Sequence, residues 1–370
     1  LRRRQGGYGR GRRMQIESDR AEIIAGVRHG RTTGAPIALL IRNRDWVNWQ
    51  QTMYVEREMP EGATGANRPD VTRPRPGHAD LAGAIKYGHT DVRDVLERAS
   101  ARETAARVAA GSLARQLLGR FGVKITSHVS PIGGISLPDS REVTFDEAQP
   151  LSDESPLGCV DEGLQQKMIA AIDAAKEAGD TLGGAFEVIA KGLPPGLGSH
   201  VQWDRKLDGR LAQAMMCIHA IKAVGIGIGP DVAFRPGSRV HDEILPSTRD
   251  DGPLTRPSNN AGGLEGGVTN GEDVRVTGFM KPIATLMKPL RSVDLTTMQD
   301  AEAAIERSDV CAVPAAAVVG EAMVAFVLAD VFLEKLGGDS IEEIAQHLAA
   351  TIAAVERRFA AARSSASPTR

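Results

Sequence analysis

The sequence predicts an α+β fold in which helices cover a sheet. Two observations carry this prediction. Short strand-like segments are interleaved with amphipathic helical segments, and their order does not follow the strict strand–helix–strand repeat of a parallel sheet. With 370 residues, of which 42% are hydrophobic, the chain can build a sizeable core in one large domain or two ordinary ones.

Strands and helices follow one another with long connections between them. The segments predicted to contain strands are 14–29, 35–43, 123–136, 184–191 and 273–281. The predicted helices are 91–120, 160–178, 204–223, 315–336 and 340–362. Long polar loops are predicted over 45–77, 137–157 and 242–271.

Composition argues against several classes of protein. Basic and acidic residues nearly balance, 45 against 47, whereas a protein that binds nucleic acid through its phosphates usually has a basic excess. Cys159, Cys217 and Cys311 are far apart and form no CxxC pair, which argues against a structural zinc site and a secreted disulfide framework. We therefore expect a protein of the reducing cytoplasm that binds neither metal nor nucleic acid.

The apolar segments are too interrupted to predict a membrane protein. The most apolar one, from Val310 to Leu336, contains Pro314 and the acidic residues Glu321, Asp330 and Glu334. Nothing in the sequence resembles a signal peptide. We therefore expect no membrane-spanning segment.

The arginine-rich opening LRRRQGGYGRGRR has three interpretations. A solvated basic tail is the ordinary one. A disordered segment that binds nucleic acid is the second. The third is a folded segment whose guanidinium groups bind phosphate or carboxylate. We favour the third, because a predicted strand follows at once.

A glycine pattern at Gly225, Gly227 and Gly229 resembles part of the dinucleotide-binding motif GxGxxG. That motif requires a strand before the glycines and a helix after them. Here we predict a helix before them, and Pro230 follows directly, so the pattern does not predict a Rossmann fold. The GK[ST] sequence of a P-loop does not occur.

The segment from Pro74 to Gly111 carries most of the functional information. Two prolines and a glycine form a stiff loop that presents His78 beside arginines and the carboxylate of Asp80. Such neighbours can hold an imidazole and bring its pKa across neutrality, which favours a catalytic role over a structural one. About twenty residues later, Arg98 to Thr104 opens an alanine-rich helix, and a helix start beside arginines can bind phosphate. Together they suggest an enzyme that acts on a phosphorylated, acidic ligand.

Three further segments are compatible with a ligand role and with an ordinary structural one. Asp309 precedes a predicted helix and either caps a turn or faces a ligand beside Arg307. The segment from Lys281 to Thr285 follows a strand and is either a simple exit or a binding segment. The glycines of AGGLEGG, residues 261–267, either let the backbone approach a flat or phosphorylated ligand or form a flexible loop.

The order of short motifs along the chain closely resembles the chorismate synthase family. The motifs that carry the resemblance are RRRQGGYGRGRRM, GVRHGRTTGAPIAL, NRDW, RPGHAD, KYG, RASARETAARVAAG, GDTLGG, LPPGLGS, NNAGGLEGGVTNG, MKPIATL and RSDVCAVPAA. They run from Arg2 to the neighbourhood of Leu336 and so cover nearly the whole chain.

The resemblance implies both a fold and an activity. The family fold is a β-α-β sandwich, so we expect residues 1–337 to form one catalytic domain, residues 338–362 its C-terminal helix and residues 363–370 a disordered tail. The family makes chorismate from 5-enolpyruvylshikimate 3-phosphate by 1,4-anti elimination of phosphate and a ring proton, the last step of the shikimate pathway. It requires reduced flavin mononucleotide (FMN), which some members reduce with NADPH. A cytoplasmic homotetramer is also implied.

The resemblance also implies roles for single residues. His78 corresponds to a general acid near the leaving phosphate or the flavin, and Asp309 to an aspartate near flavin N5 that helps relay the ring proton. The residues implied to bind flavin are Arg98, Ala99, Ser100, His219, Ala220, Gly266, Lys281, Pro282, Ile283, Ala284, Thr285 and Arg307. The residues implied to bind NADPH or the anionic groups of the substrate are Arg4, Arg10 and Arg102.

Two departures from the family pattern bear on activity. The family opens with a strand and a GESHG motif whose histidine is also catalytic, and this sequence begins after that motif. Gly225 and Ile228 stand where the family usually has acidic residues. The alternative hypothesis is therefore an inactive, truncated flavin-binding relative.

Overall fold

The helices and strands are known for residues 1–11, 18–59, 61–138, 141–151, 155–247 and 254–365, which the computed structural model describes. The α-helices are α1 Arg2–Gln5, α2 Gln50–Met53, α3 Asp80–Tyr87, α4 Arg93–Arg98, α5 Thr104–Gly119, α6 Phe145–Ala148, α7 Glu162–Glu177, α8 Leu207–Met216, α9 Val313–Leu336 and α10 Ile341–Ser365. The short 3-10 helices are Arg44–Asn48, Ala101–Glu103, Trp203–Arg205, Gly229–Phe234 and Gly237–Arg239.

The strands are mostly short. They are β1 Ala21–Ala25, β2 Val27–Arg28, β3 Arg31–Thr32, β4 Ala38–Ile41, β5 Lys124–Ile132, β6 Gly184–Lys191, β7 Ile221–Ile226, β8 Leu245–Pro246, β9 Leu254–Thr255, β10 Leu264–Glu265, β11 Val268–Thr269, β12 Val274–Met280, β13 Arg291–Asp294 and β14 Gln299–Glu302.

A four-stranded antiparallel sheet in the order β5, β6, β12, β7 forms the frame of the molecule. Alternate residues of a strand point to opposite faces. On β6, Phe186 and Val188 pack into the main core with α9, whereas Ile189 packs into a second cluster with Phe145 of α6. The sheet is therefore covered on both faces, which suits a strand whose only charged residue before its last position is Glu187.

Helix α9 approaches both the sheet and α5 through glycines. A Cβ atom on Gly320 would lie 2.5 Å from the ring of Phe186, and one on Gly111 of α5 would lie 2.5 Å from Cβ of Ala322. Close-packed interiors leave no room for such an atom. A side chain at either position would therefore force α9 away from its neighbours.

The apolar character of α9 is that of a core helix. By length and composition alone it is able to cross a membrane, yet 67% of its most apolar stretch is buried inside the fold. Its Leu328 and Phe332 have no exposed surface. Among the described residues, no other helix passes the same test of length and apolar character.

A helix layer lies between two sheets. Helix α5 contacts β5 of the main sheet and also β4, which pairs with β1 in a small antiparallel sheet. This arrangement confirms the predicted α+β class and its β-α-β order of layers.

Helices α9 and α10 confirm the two predicted C-terminal helices. Helix α10 continues to Ser365, into the segment for which we predict a disordered tail. Residues 366–370 lie outside the described part.

The single helix predicted over 91–120 is wrong, because the chain turns at Ser100. Helix α4 ends at Arg98, a 3-10 turn covers Ala101–Glu103, and α5 begins at Thr104. The hydroxyl of Ser100 accepts the backbone N–H of Arg102. A serine that bonds to nearby backbone in this way competes with the helical hydrogen bonds and favours a cap.

The helix predicted over 204–223 is also wrong beyond Met216. The chain turns over residues 217–220, Ala220 adopts a left-handed backbone with φ of 64°, and β7 follows. Ile218 and Ile221 are nevertheless buried, as the apolar stripe Leu211, Met215, Ile218 and Ile221 predicts. The stripe continues across the turn, so periodicity could not locate the end of the helix.

The long loops contain more structure than their composition predicts. The acidic segment 137–157 contains α6, whose first turn is capped reciprocally by Thr144 and Glu147. The segment 242–271 contains the hairpin strands β8 to β11, and the β13–β14 hairpin has no counterpart in the sequence prediction. Gly225 lies in β7 and Gly229 begins a 3-10 helix, so a strand and not the predicted helix stands before the glycine pattern. That strand is antiparallel to β12, which agrees with the absence of a Rossmann unit. The strand predicted at 14–17 lies outside the described residues.

A buried ionic network joins the N-terminal segment to the core. The carboxylate of Glu321, in the middle of α9 and 2% exposed, accepts two hydrogen bonds from the guanidinium of Arg3 at 2.7 and 2.8 Å. It also accepts one from Arg115 of α5 and one from the hydroxyl of Ser127 on β5, both at 2.7 Å. Buried carboxylates are stable only when such donors replace water.

We expect Glu321→Gln to destabilise the fold by about 3 kcal/mol, the lower end of the cost of breaking a buried ion pair, because both arginines are partly exposed and can regain water. Urea unfolding gives this difference. The control Asp330→Asn removes an exposed carboxylate from the same helix and should change stability by less than about 0.5 kcal/mol. Equal stability of Glu321→Gln and the wild type would contradict the role given to this network.

Candidate active site

A cavity of about 820 Å³ lies where segments distant in the sequence meet. Its size is within the range typical of small-molecule and cofactor sites. The residues predicted from the sequence that line it are Arg4, Arg10, His78, Ala99, Ser100, Arg102, His219, Ala220, Lys281, Ile283, Ala284, Thr285, Arg307 and Asp309. The structure thus brings the two predicted catalytic residues and nearly all predicted binding residues to one place.

Three predicted binding residues do not line this cavity. Arg98 lies exposed at the end of α4, although its charge reaches His219. Pro282 is exposed and does not line the cavity, although Lys281 and Ile283 on either side of it do. Gly266 lies exposed in the turn between β10 and β11. For these residues a flavin contact stays a prediction.

Asp80 fixes the orientation of His78. Its Oδ1 lies 2.5 Å from Nδ1 of His78, and the carboxylate also accepts the backbone N–H and the guanidinium of Arg75. Burial alone would raise the pKa of Asp80, but the hydrogen bonds from His78 and Arg75 outweigh it and hold that pKa well below its usual value. The ionised carboxylate accepts only, so Nδ1 of His78 carries the proton, and Nε2 lies 3.4 Å from Nη2 of Arg75, which can only donate.

The loop that carries His78 is joined to the segment that follows β12. Arg75 Nη1 donates to the hydroxyl of Thr285 at 2.7 Å, and Lys281 Nζ donates to the carbonyl of Gly77 at 2.7 Å. Burial and the charge of Lys222 lower the pKa of Lys281. The two segments are therefore held together as one wall of the cavity by the side chains of Arg75 and Lys281.

The N-terminal segment brings Arg4 and Arg10 to the cavity. Arg4 is buried, and its guanidinium donates to the hydroxyl of Thr104 at 2.7 Å and to the carbonyl of Ala101 at 2.9 Å. Arg10 forms an ion pair with Oδ2 of Asp309 at 2.9 Å. The backbone N–H of Gly11 donates to Oδ1 of the same residue at 2.7 Å. Asp309 is thus held by a cation and an amide rather than capping a turn.

The opposite wall is the turn that opens α5. Ser100 to Arg102 line the cavity with backbone as well as side chains, and Arg102 forms an ion pair with Asp19. Next to this turn, Nδ1 of His219 lies 3.4 Å from Oε1 of Glu103. Burial lowers the pKa of His219, and only the charge of Glu103 opposes that shift among its main causes. We therefore expect a neutral imidazole at position 219 at neutral pH.

The lining also contains residues that the sequence did not single out. They are Asp45, Trp49, Leu96, Glu97, Met287, Ile305, Glu306 and Ser308, with backbone from Gly11, Gly77, Ala79 and Ala101. Asp45 belongs to the NRDW motif, which marks the resemblance but implied no role. Trp49 follows in a polar loop without periodicity, so only its proximity to that motif could have indicated it.

The residues that line the cavity suit small molecules that are flat and negatively charged. The basic residues Arg4, Arg10, Arg75, Arg102, Lys281 and Arg307 line it. Apolar surface from Ile283, Ala284 and Met287 lies beside them. Among the residues described, no group of three or more histidine, cysteine, aspartate or glutamate side chains has the arrangement of a metal site.

Comparisons with known proteins decide the family. The family model for chorismate synthase matches residues 1–333. The chain belongs to the chorismate synthase family. It is 56% identical over 343 residues to the chorismate synthase of Solibacter usitatus, which covers 92% of this chain and 86% of the relative. It is 57% identical over 349 residues to that of Geobacter sulfurreducens, with 93% and 87% covered.

A solved structure agrees with this assignment. A crystal structure of a chorismate synthase superposes with a TM-score of 0.74 at 42% identity, over 96% of this chain and 88% of that one. The sequence-based recognition and the α+β fold class are therefore confirmed. The protein is a carbon–oxygen lyase of the shikimate pathway, the pathway that feeds aromatic amino-acid biosynthesis. Membership of the chorismate synthase family implies 5-enolpyruvylshikimate 3-phosphate as substrate and a requirement for reduced flavin.

We expect Asp80→Asn to lower kcat about 10²-fold or more, because an amide no longer selects the His78 tautomer that carries its proton on Nδ1. Steady-state chorismate formation measures this. The control Asp94→Asn removes a carboxylate that lies 3.5 Å from His89, outside the cavity, and should retain the wild-type rate. An Asp80→Asn enzyme with native kcat would exclude the proposed orientation of His78.

The depressed pKa of Asp80 also predicts a pH dependence of stability. Its folded pKa lies below its unfolded value, so its stabilising contribution is present above the unfolded pKa of about 4 and decreases as pH falls below it. The difference in unfolding free energy between wild type and Asp80→Asn should therefore be largest near pH 7 and shrink towards pH 3. Urea unfolding at several pH values gives this difference, and a constant value would refute the prediction.

We expect Gly11→Ala to lower kcat about 10²-fold, since small misplacements in an active site have effects of that size. An added Cβ would lie 2.7 Å from the carbonyl of Ser308 and would move the amide that holds Asp309. Rates and thermal unfolding are compared with Gly119→Ala, where an added Cβ meets no other atom. Full activity of Gly11→Ala would show that this amide contact is unimportant.

Proposed function

We propose that the cavity holds 5-enolpyruvylshikimate 3-phosphate beside reduced FMN and that its side chains catalyse the 1,4-anti elimination that gives chorismate. One observation carries the proposal: His78 and Asp309 line a single cavity together with six basic side chains. These groups come from five separate segments of the chain, and together they meet the requirements of the reaction. The reaction needs cations at the leaving phosphate, a proton donor and a proton acceptor.

The residues present fit a flavin phosphate and a flat ring system. Arg102, Lys281 and Arg307 offer cationic groups for the phosphate, while Ile283 and Ala284 offer apolar surface for the ring system. Ala99 and Ser100 line the same cavity. His219 and Ala220 close the same side. When bound, the reduced flavin transiently supplies electron density to the allylic system, and no net redox change results.

The protein moves two protons and stabilises one leaving group. The carbon–oxygen bond to phosphate breaks with its electron pair on phosphate, where arginine and lysine side chains stabilise the developing charge. His78 is held through Nδ1 by Asp80, and when the ring carries a proton on both nitrogens, Nε2 is the one that donates near the phosphate or the flavin. Asp309, held by Arg10 and the amide of Gly11, helps relay the proton that leaves the ring.

Finer properties follow from the family rather than from single contacts. We propose a cytoplasmic homotetramer and NADPH as a reductant of the flavin, with Arg10 and the buried Arg4 near that nucleotide or the substrate. Light scattering of the purified protein tests the tetramer. Flavin reduction by NADPH under anaerobic conditions tests the reductant.

We expect the purified chain to form equimolar chorismate and phosphate from 5-enolpyruvylshikimate 3-phosphate when chemically reduced FMN is supplied without oxygen. His78→Ala and Asp309→Asn should each lower kcat by about 10²–10⁴-fold, the usual contribution of a positioned acid or base. Reduced-flavin binding is measured on the same samples. Binding without product from the wild type would instead support the inactive flavin-binding relative.

A further inference from the structure

Two arginines beside the cavity have guanidinium groups that the described part of the protein does not satisfy. Arg93, the first residue of α4, is 6% exposed, and its Nε and Nη1 are buried without a hydrogen-bond acceptor among the described residues. Nε of Arg68 is also buried without a hydrogen-bond acceptor among the described residues. A guanidinium has five N–H donors, and a buried donor without a partner is costly.

Both guanidinium groups lie against Trp49, which lines the cavity. The central carbon of Arg68 lies 4.0 Å from the Trp49 ring centroid, and that of Arg93 lies 5.6 Å from it. Attraction to the ring face stabilises a cation but does not satisfy its N–H donors. The indole Nε1 donates to Oδ2 of Asp45 at 2.9 Å, which fixes the ring.

Two carboxylates of the neighbouring segments already accept other hydrogen bonds. Asp45 accepts the Trp49 indole and the side-chain amide of Asn48. Asp91 accepts the backbone N–H groups of Val71 and Arg93 through Oδ1. Two cations near one aromatic ring are stabilised by an anion beside them. Because Trp49 lines the cavity, a ligand in the cavity can bring an anion to the arginines that pack on this ring.

We propose that Arg68, Arg93 and Trp49 form a subsite for a phosphate monoester. A forked guanidinium matches two phosphate oxygens at once, and a pair of forks suits a dianion better than a single carboxylate. The proposal rests on the proposed function of the cavity, because the substrate and FMN each carry one such group. None of the residues implied by the family resemblance contributes to this subsite.

The test separates the two sources of phosphate. Reduced FMN and reduced riboflavin are titrated anaerobically into wild type, Arg93→Gln, Arg93→Lys and Arg68→Gln, and KM for 5-enolpyruvylshikimate 3-phosphate is measured on each. Riboflavin lacks the phosphate and reports whether the rest of the flavin site is intact. Arg291→Gln, the same change at an arginine that is 90% exposed on the β13–β14 hairpin, is the control.

Either of two results supports the subsite. FMN affinity that falls about 10- to 100-fold with unchanged riboflavin affinity assigns it to the flavin phosphate, since charge-assisted hydrogen bonds have effects of that size. A similar rise in KM with unchanged FMN affinity, together with weaker inhibition by inorganic phosphate, assigns it to the substrate phosphate. Arg93→Lys should lie between wild type and Arg93→Gln, since it keeps the charge and loses the fork.

Other results overturn it. If FMN and riboflavin weaken equally, or if FMN affinity and KM both stay at wild-type values, the arginines serve the packing of Trp49 alone. Arg68 is only half-buried, so Arg68→Gln gives an answer even where Arg93→Gln fails to fold. Failure of the wild type to bind reduced FMN or to form chorismate would instead contradict the proposed function, which keeps the two failures distinct.

Discussion

Glu321 places a charge in the middle of the core helix, where an unpaired carboxylate would be least stable. Its donors come from the N-terminal segment, from α5 and from the main sheet, so the ionised side chain requires all three to be in place together. Arg115 extends the connection by donating to the carbonyl of Ile125 on β5. The same network holds Arg3, and Arg3 precedes Arg4, which reaches the start of α5. An interaction in the core thus determines where the first cation of the active site lies.

The active site repeats this principle with other pairs. Asp80 joins Arg75 to His78, and Asp309 joins Arg10 to the backbone of Gly11. Each carboxylate balances the charge of an arginine. Its hydrogen bonds also restrict the conformation of the catalytic side chain, which is His78 in one pair and Asp309 itself in the other. Because these pairs are made within the protein, the cavity does not need to reorganise when charge develops in the reaction, which is the condition for electrostatic stabilisation.

Much of this could be predicted from the sequence, because the chemistry lies in short motifs. The stiff RPGHAD loop indicated His78, and the arginine-rich start indicated folded, anion-binding guanidinium groups. Packing was harder to predict. Glu321 appeared in the sequence as an interruption of an apolar run, whereas in the fold it anchors that run. The helix predicted through His219 failed because the apolar stripe runs on past the turn, and the turn depends on a left-handed Ala220 that no pattern indicates.

The basic residues of the cavity divide into two groups by what they already contact. Arg4 and Arg75 are almost wholly buried and donate to protein oxygens, so they set the field and the shape of the site. Arg307 is exposed at the cavity and is free to turn towards a ligand. Lys281 donates to Gly77, but burial lowers its pKa and so weakens its hold on the proton. A ligand phosphate near Lys281 would oppose that shift in pKa, because an anion favours the charged form of the lysine.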